Sequence, residues 1–256
     1  SFSLGEIRSQ LARSVKSAAR AKLGNLRRLP GSRASLQAPA PSLQYHSNQL
    51  IVIGASTGGT EAIKLVLQQL PANVPGICIV QHIPPVFSRA FAERLDGLCE
   101  MEVREAVNGD EVRPGLALIA PGDFHMTVGR SGAKFHVNLN QGPTLHHTRP
   151  AVDVLFNSAA ACAGRNVVSV LLTGMGADGA QGMRKLKEAG AATLAQNEAT
   201  CVVYGMPHAA VSLGVVDQEL PLEQISPAIL KCLRTVSCNA SSGQAVSNVI
   251  HHQVNH

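Results

Sequence analysis

The chain has 256 residues, 45% of them hydrophobic, and a mean hydropathy of +0.09, which suits one globular domain plus some tail. It contains no run of about 18 apolar residues and no charged-then-apolar opening, so neither a membrane span nor a signal peptide is expected and a cytoplasmic protein is. The net charge of +5 is confined to one end: residues 1–48 carry eight of the 22 Lys and Arg and one acid, Glu6, leaving 14 basic against 16 acidic residues elsewhere. With 3% aromatic residues and no tryptophan, a stacking platform for nucleic acid is not expected either.

In the leader, residues 1–48, Leu4, Ile7, Leu11 and Val15 recur at three- and four-residue steps among Arg8, Arg13, Lys16 and Arg20. That is the pattern of a basic amphipathic helix. Pro30-Gly31-Ser32 ends it, and QAPAPS at 37–42 reads as a semi-extended linker. A solvated linker helix is expected; attachment to anionic lipid or to a partner domain is the second reading of the same pattern. The chain begins at Ser1 rather than methionine, which reads as a piece of something longer.

From about 49 to 236, short apolar runs alternate with helical patterns. Strands are expected at 50–53, 77–81, 116–120, 167–173 and 192–195, and helices at 60–70, 86–97, 151–163, 179–189, 203–213 and 223–234. Continuous apolar strands separated by helices predict an α/β domain, a doubly wound, mainly parallel sheet covered on both faces. FHMTV and KFHVNL, joined by Gly129-Arg130-Ser131-Gly132, read as an antiparallel hairpin added to that sheet. The six cysteines, Cys78, Cys99, Cys162, Cys201, Cys232 and Cys238, form no C-x-x-C pair and read as small hydrophobes rather than disulfides or metal ligands. Residues 237–256 are polar and aperiodic, and a disordered tail is expected there.

Open parallel sheets bind ligands beyond the carboxyl ends of their strands. Ser56 follows LIVI, His82 follows ICIVQ, and Asp178 follows VVSVLLT. A hydroxyl, an imidazole and a carboxylate form a relay in which histidine takes the serine proton and aspartate orients the ring. Gly54-Ala55-Ser56-Thr57-Gly58 also matches G-x-S-x-G, a turn that bends tightly and presents the hydroxyl at a helix N-terminus. The bland alternatives are that Ser56 or Thr60 caps the following helix, that His82 bonds loop carbonyls, and that Asp178 caps the helix beginning at Gly179.

Two rival chemistries share these residues. Gly174, Gly176 and Gly179 fit G-x-G-x-x-G, with Glu198 about twenty residues on, as in a dinucleotide site, but Asp178 inside the turn would repel a pyrophosphate. His125, His136, His146, His147 and His208 suggest a metal hydrolase, but they show neither H-x-x-x-H nor H-E-x-x-H spacing. The order Ser56, His82, Asp178 also departs from the Ser, acid, His order of α/β-hydrolases.

Six collinear blocks, IGASTGGTEAI, QHIPP, IAPGDFHM, RPAVDVLF, LLTGMGADGAQGM and AQNEATCVVYGMP, resemble the catalytic domain of CheB, the chemotaxis protein-glutamate methylesterase, over about 49–236. The resemblance implies a doubly wound α/β fold and a triad of Ser56, His82 and Asp178. It further implies hydrolysis of glutamyl methyl esters on the cytoplasmic domains of chemotaxis receptors, often with deamidation of receptor glutamines, and no metal or organic cofactor. The backbone N–H groups of Thr57 and Met175, in the two glycine turns, are the expected oxyanion donors. Members of this family carry a phosphoacceptor receiver domain upstream, which covers the site until phosphorylated; here the basic leader stands in that position.

Overall fold

The computed structural model of the protein describes residues 48–234, and the readings made for the leader and the tail lie outside these residues. In chain order the elements are β1 (Leu50–Ala55), α1 (Gly59–Gln68), β2 (Ile77–Gln81), α2 (Pro85–Asp96), β3 (Glu102–Glu105), β4 (Glu111–Val112) and β5 (Leu116–Ile119). After these come β6 (His125–Ser131), β7 (Lys134–Asn140), α3 (Val152–Ala163), β8 (Val167–Leu171), α4 (Ala180–Glu188), β9 (Ala192–Gln196), α5 (Met206–Ser212) and β10 (Gln218–Leu220). A last helix, α6, covers 222–234.

Seven strands form a parallel sheet in the order β10-β9-β8-β1-β2-β5-β3. Its interior strands are mostly apolar because both faces are covered, the buried exceptions being Gln81, Ser169, Thr193 and Gln196. Side chains alternate across a strand, so Leu50, Val52, Cys78, Val80, Leu116 and Leu118 enter one core while Ile51, Ile53, Ile77, Ile79, Ala117 and Ile119 enter the other. The first core is closed by α3, α4 and α5, for example through Phe156, Met183 and Met206. The second is closed by α1, α2 and α6, through Ile63, Val66, Leu95 and Ile229. Each fully buried Leu or Ile stabilises the fold by about 1.5–3 kcal/mol relative to exposure.

The hairpin of β6 and β7 forms as expected, but β7 also pairs with β4, giving a separate three-stranded antiparallel sheet. Val112, Met126, Val128, Phe135 and Val137 lay this sheet on the first core. It cannot extend the parallel sheet beyond β5, because β3 occupies that edge. The sequence EVRE of β3 hides this strand from a search for apolar runs, as the short polar β4 and β10 hide themselves.

Candidate active site

All three candidate side chains stand beyond the carboxyl ends of adjacent strands. From β1 the chain builds the sheet outward to one side through β2 and β5, then returns to build the other side through β8 and β9; this reversal makes the crevice where open sheets hold ligands. The ladder runs one residue past the strand ends: Ser56 N–H donates to Thr173 O (3.0 Å), and His82 N–H donates to Ala55 O (3.0 Å). The buried Gln81 amide donates to both Ser56 O (2.9 Å) and His82 O (3.1 Å), so one side chain holds both turns. The Thr173 hydroxyl accepts Val203 N–H (3.0 Å) and donates to Thr57 O (3.0 Å).

Ser56 does not cap α1, and Thr60 lies inside that helix rather than before it. The N-cap is Gly58, at φ 81 with no side-chain cap bond, and Gly59 N–H bonds the Ser56 carbonyl (2.8 Å). The left-handed φ suits glycine, and a Cβ at Gly58 would also stand 2.6 Å from Val202 Cγ2. The Ser56 hydroxyl is therefore not consumed by capping.

Asp178 caps a helix, but not the one that follows it. The N-cap of α4 is Gly179, without a side-chain cap bond. Asp178 Oδ2 instead accepts Val152 N–H (2.7 Å) and Oδ1 accepts Asp153 N–H (2.9 Å), at the start of α3. The same Oδ2 lies 2.8 Å from His82 Nε2. Burial pushes the Asp178 carboxyl upward, but the His82 hydrogen bond, the Asp153 N–H, the His82 charge and the Val152 N–H outweigh it, holding the group below the ordinary carboxylate value. A carboxylate that stays ionised can orient an imidazole and stabilise its protonated form.

His82 and Asp178 thus meet directly. Ser56 sits at the next strand end, and its Oγ makes no hydrogen bond to the ring. With Nε2 on Asp178, Nδ1 is the ring nitrogen left to take a proton. The turn after β8 touches the serine: a Cβ on Gly174 would stand 2.7 Å from Ser56 Cβ. Thr57 and Met175 lie in these two touching turns and are exposed, and among the described residues their backbone N–H groups donate to no internal acceptor. Such donors stabilise a developing oxyanion.

Sequence reasoning did not single out Gln81, Thr148 or Asp153. Thr148 Oγ1 lies 3.5 Å from His82 Nε2, and Asp153, in the block RPAVDVLF, accepts His146 Nε2 at 2.8 Å. The available signal was an acid in the first turn of a helix with no role assigned to it.

Two of the three glycines of the dinucleotide reading, Gly174 and Gly179, serve packing instead, while Gly176 sits in a left-handed turn at φ 90. A Cβ on Gly179 would meet Leu171 and Val152 side chains at 2.7 and 2.8 Å, and one on Gly174 would meet Met206 Sδ at 2.3 Å. The Asp178 carboxylate, turned to α3 and His82, supplies further negative charge. The histidines of the metal reading are dispersed: His125 bonds Pro143 O and Ala151 N–H, and His208 packs on Tyr204. Among the described residues one group of three or more ligating residues has its atoms within 4.8 Å of one another, His146 with Asp153 and Asp178, and those carboxylates already accept helix N–H groups. No helix of the described residues is long and apolar enough to cross a membrane.

Comparison with known proteins gives the geometry a family. The crystal structure of the Thermotoga maritima CheB methylesterase catalytic domain is similar at a TM-score of 0.70 and 39% identity, covering 73% of this chain and 98% of that one. A protein-glutamate methylesterase/protein-glutamine glutaminase of Syntrophus aciditrophicus is 50% identical over 90% of this chain and 67% of its own length. A Pseudomonas aeruginosa protein of that description is 54% identical over 88% of this chain and 62% of its own. The chain thus spans about two thirds or less of these curated relatives. A family model described as CheB methylesterase matches residues 51–229, the same stretch that carries the sheet and the three strand-end residues, and the chain belongs to the CheB methylesterase family.

Proposed function

We propose that this chain is the catalytic domain of a protein-glutamate methylesterase, acting on the methylated cytoplasmic regions of chemotaxis receptors, and that it also deamidates receptor glutamines. The observation that carries the reading is the 2.8 Å bond between His82 Nε2 and the buried Asp178 carboxylate, beside Ser56 at the reversal of the sheet. The names of the relatives support both activities.

In this reading Ser56 Oγ attacks the γ-carbonyl carbon of the methyl ester while His82 takes the hydroxyl proton. Asp178 stabilises the resulting imidazolium, and the N–H groups of Thr57 and Met175 stabilise the oxyanion. The tetrahedral intermediate collapses, the C–O bond to the methoxy group breaks, and His82 returns the proton so that methanol leaves. Water, deprotonated by His82, attacks the acyl-serine; the acyl–Oγ bond breaks, Ser56 recovers its proton, and a glutamate side chain is released. With glutamine the leaving group is ammonia, a poorer one, so deamidation is the slower or more selective activity. These steps draw only on the side chains and backbone named here, without metal or organic cofactor.

The resemblance implies an upstream receiver domain as the regulatory partner in the whole protein, for which the greater length of the relatives leaves room, and a cytoplasmic location goes with the proposed receptor substrate. The test is methanol release from membranes carrying methylated receptor. Ser56→Ala abolishes it with the far-UV spectrum unchanged; undiminished release overturns the nucleophile assignment.

A further inference from the structure

Two carboxylates are buried side by side behind His82. Asp178 is 1% exposed and Asp153 3% exposed. Asp178 accepts the backbone N–H of Asp153, while Asp153 Oδ1 accepts the N–H of Gly182 (2.6 Å), four residues past Asp178 in the first turn of α4. Each acid thus serves the start of the helix associated with the other. Helix N-termini favour negative charge, but two like charges this close repel each other, and burial adds to the cost.

The groups facing this pair come from every neighbouring segment. The loop after β2 supplies His82, bonded to Asp178. The segment before α3 supplies His146, whose Nε2 lies 2.8 Å from Asp153 Oδ2 and 3.9 Å from Asp178 Oδ1. Of its sequence neighbours, His147 is exposed, and Arg149 is turned to Asp123 and to the carbonyls of Gln141 and Gly142. From α3 and α4 the remaining contacts are the backbone N–H groups of Val152, Asp153 and Gly182.

His146 is delivered by a tight turn. Leu145 and Thr148 exchange backbone hydrogen bonds (3.2 and 2.9 Å), and the two residues between them, His146 and His147, have φ of 52 and 61. Two successive left-handed residues make the turn that Asn-Gly usually fills; histidine tolerates that conformation better than bulkier residues. The same turn brings Thr148 Oγ1 to 3.5 Å from His82 Nε2, so it touches both histidine–aspartate pairs.

We propose that His146 is a positioning residue for the reaction, offsetting the second buried carboxylate, Asp153, so that the Asp178–His82 pair keeps the charge distribution in which His82 can act as a base. The role rests on the triad reading above. Without His146 the added negative potential favours a proton on His82, and the base is lost at higher pH than in the wild type.

The test compares the wild-type chain with His146→Ala and His146→Gln, using two readouts. The first is the pH at which the His82 ring signals change in NMR, which needs no turnover. The second is the acid limb of kcat/KM for methanol release. In His146→Ala both move to higher pH by about half a unit to one unit, which makes kcat/KM about three- to tenfold lower on the acid side and leaves the alkaline plateau near wild type. His146→Gln, which keeps a hydrogen-bond donor to Asp153, shows a smaller shift and reports the effect if the alanine variant does not fold. An unmoved ring titration and an unmoved acid limb, with a loss of thermal stability alone, overturn the proposal. Failure of the triad reading shows elsewhere, as methanol release that survives Ser56→Ala.

Discussion

Gly174 packs against Ser56 so closely that a methyl group added to it would stand 2.7 Å from Ser56 Cβ and 2.3 Å from Met206 Sδ. Real Cβ atoms do not approach so near, so Gly174→Ala must displace the serine turn, the methionine or both. A displacement of about 1 Å at a reacting group costs on the order of a hundredfold in rate. The expected result is a loss of methanol release of at least about tenfold in a protein that still folds, measured as kcat beside circular dichroism.

Asp178→Asn removes the charge that faces His82 and places an amide where three N–H donors converge, from Val152, Asp153 and His82. The amide offers one acceptor oxygen, so at least one buried donor loses its partner, at about 1–3 kcal/mol. Turnover falls by on the order of a thousandfold or more as the imidazole loses its orientation. Steady-state kinetics and urea unfolding read the two effects separately. A change in stability without a change in turnover would leave Asp178 as a helix cap and nothing else.

Stability has a predictable acid slope. Asp178, Asp110 and Asp217 all lie below the ordinary carboxylate value: burial pushes each up, but hydrogen bonds outweigh it, from His82 for Asp178, from Arg104 and Val107 N–H for Asp110, and from Lys187 and Thr193 for Asp217. A folded-state value below the unfolded one, near about 4, means the contribution is complete above that value and disappears as pH falls through the folded value. The urea midpoint should therefore decline from about pH 5 downward, and Asp178→Asn should flatten the decline.

Gly58→Ala tests the serine turn from its other side. Its φ of 81 disfavours a side chain by about 1–2 kcal/mol, and the new methyl group would lie 2.6 Å from Val202 Cγ2. Thermal unfolding should show a loss of at least that size, together with weakened turnover.

The buried thiols should resist labelling. Burial pushes Cys201 up to about 12 and Cys78 higher still, so neither supplies the thiolate that reacts. In native protein, thiol reagents should modify Cys99, Cys162 and Cys232 ahead of Cys78 and Cys201; equal rates would contradict the packing of β2.

The sequence exposed the main sheet because strands buried on both faces are apolar at nearly every position, as LIVI and ICIV are. It concealed β3 and β10 because an edge strand such as EVRE meets water and carries charge. The strand-end rule drew attention to Ser56, His82 and Asp178 without any coordinates. What it could not supply was the partner of each acid. Asp178 looks like the cap of α4 because the two are adjacent in sequence, yet it turns to α3, and nothing in the spacing of His146 and Asp153 announces their bond. Those pairings depend on how α3 and α4 lie against each other, which local patterns do not encode.

The exchange of acids between α3 and α4 means that neither helix start is completed by its own segment. A polypeptide ending before Asp178 would leave the opening amides of α3 bare, and one beginning after α3 would lack the acceptor for Gly182. The proposed site is therefore complete only once α3 and α4 have packed together, so its appearance during refolding should follow that docking and not the formation of either helix alone.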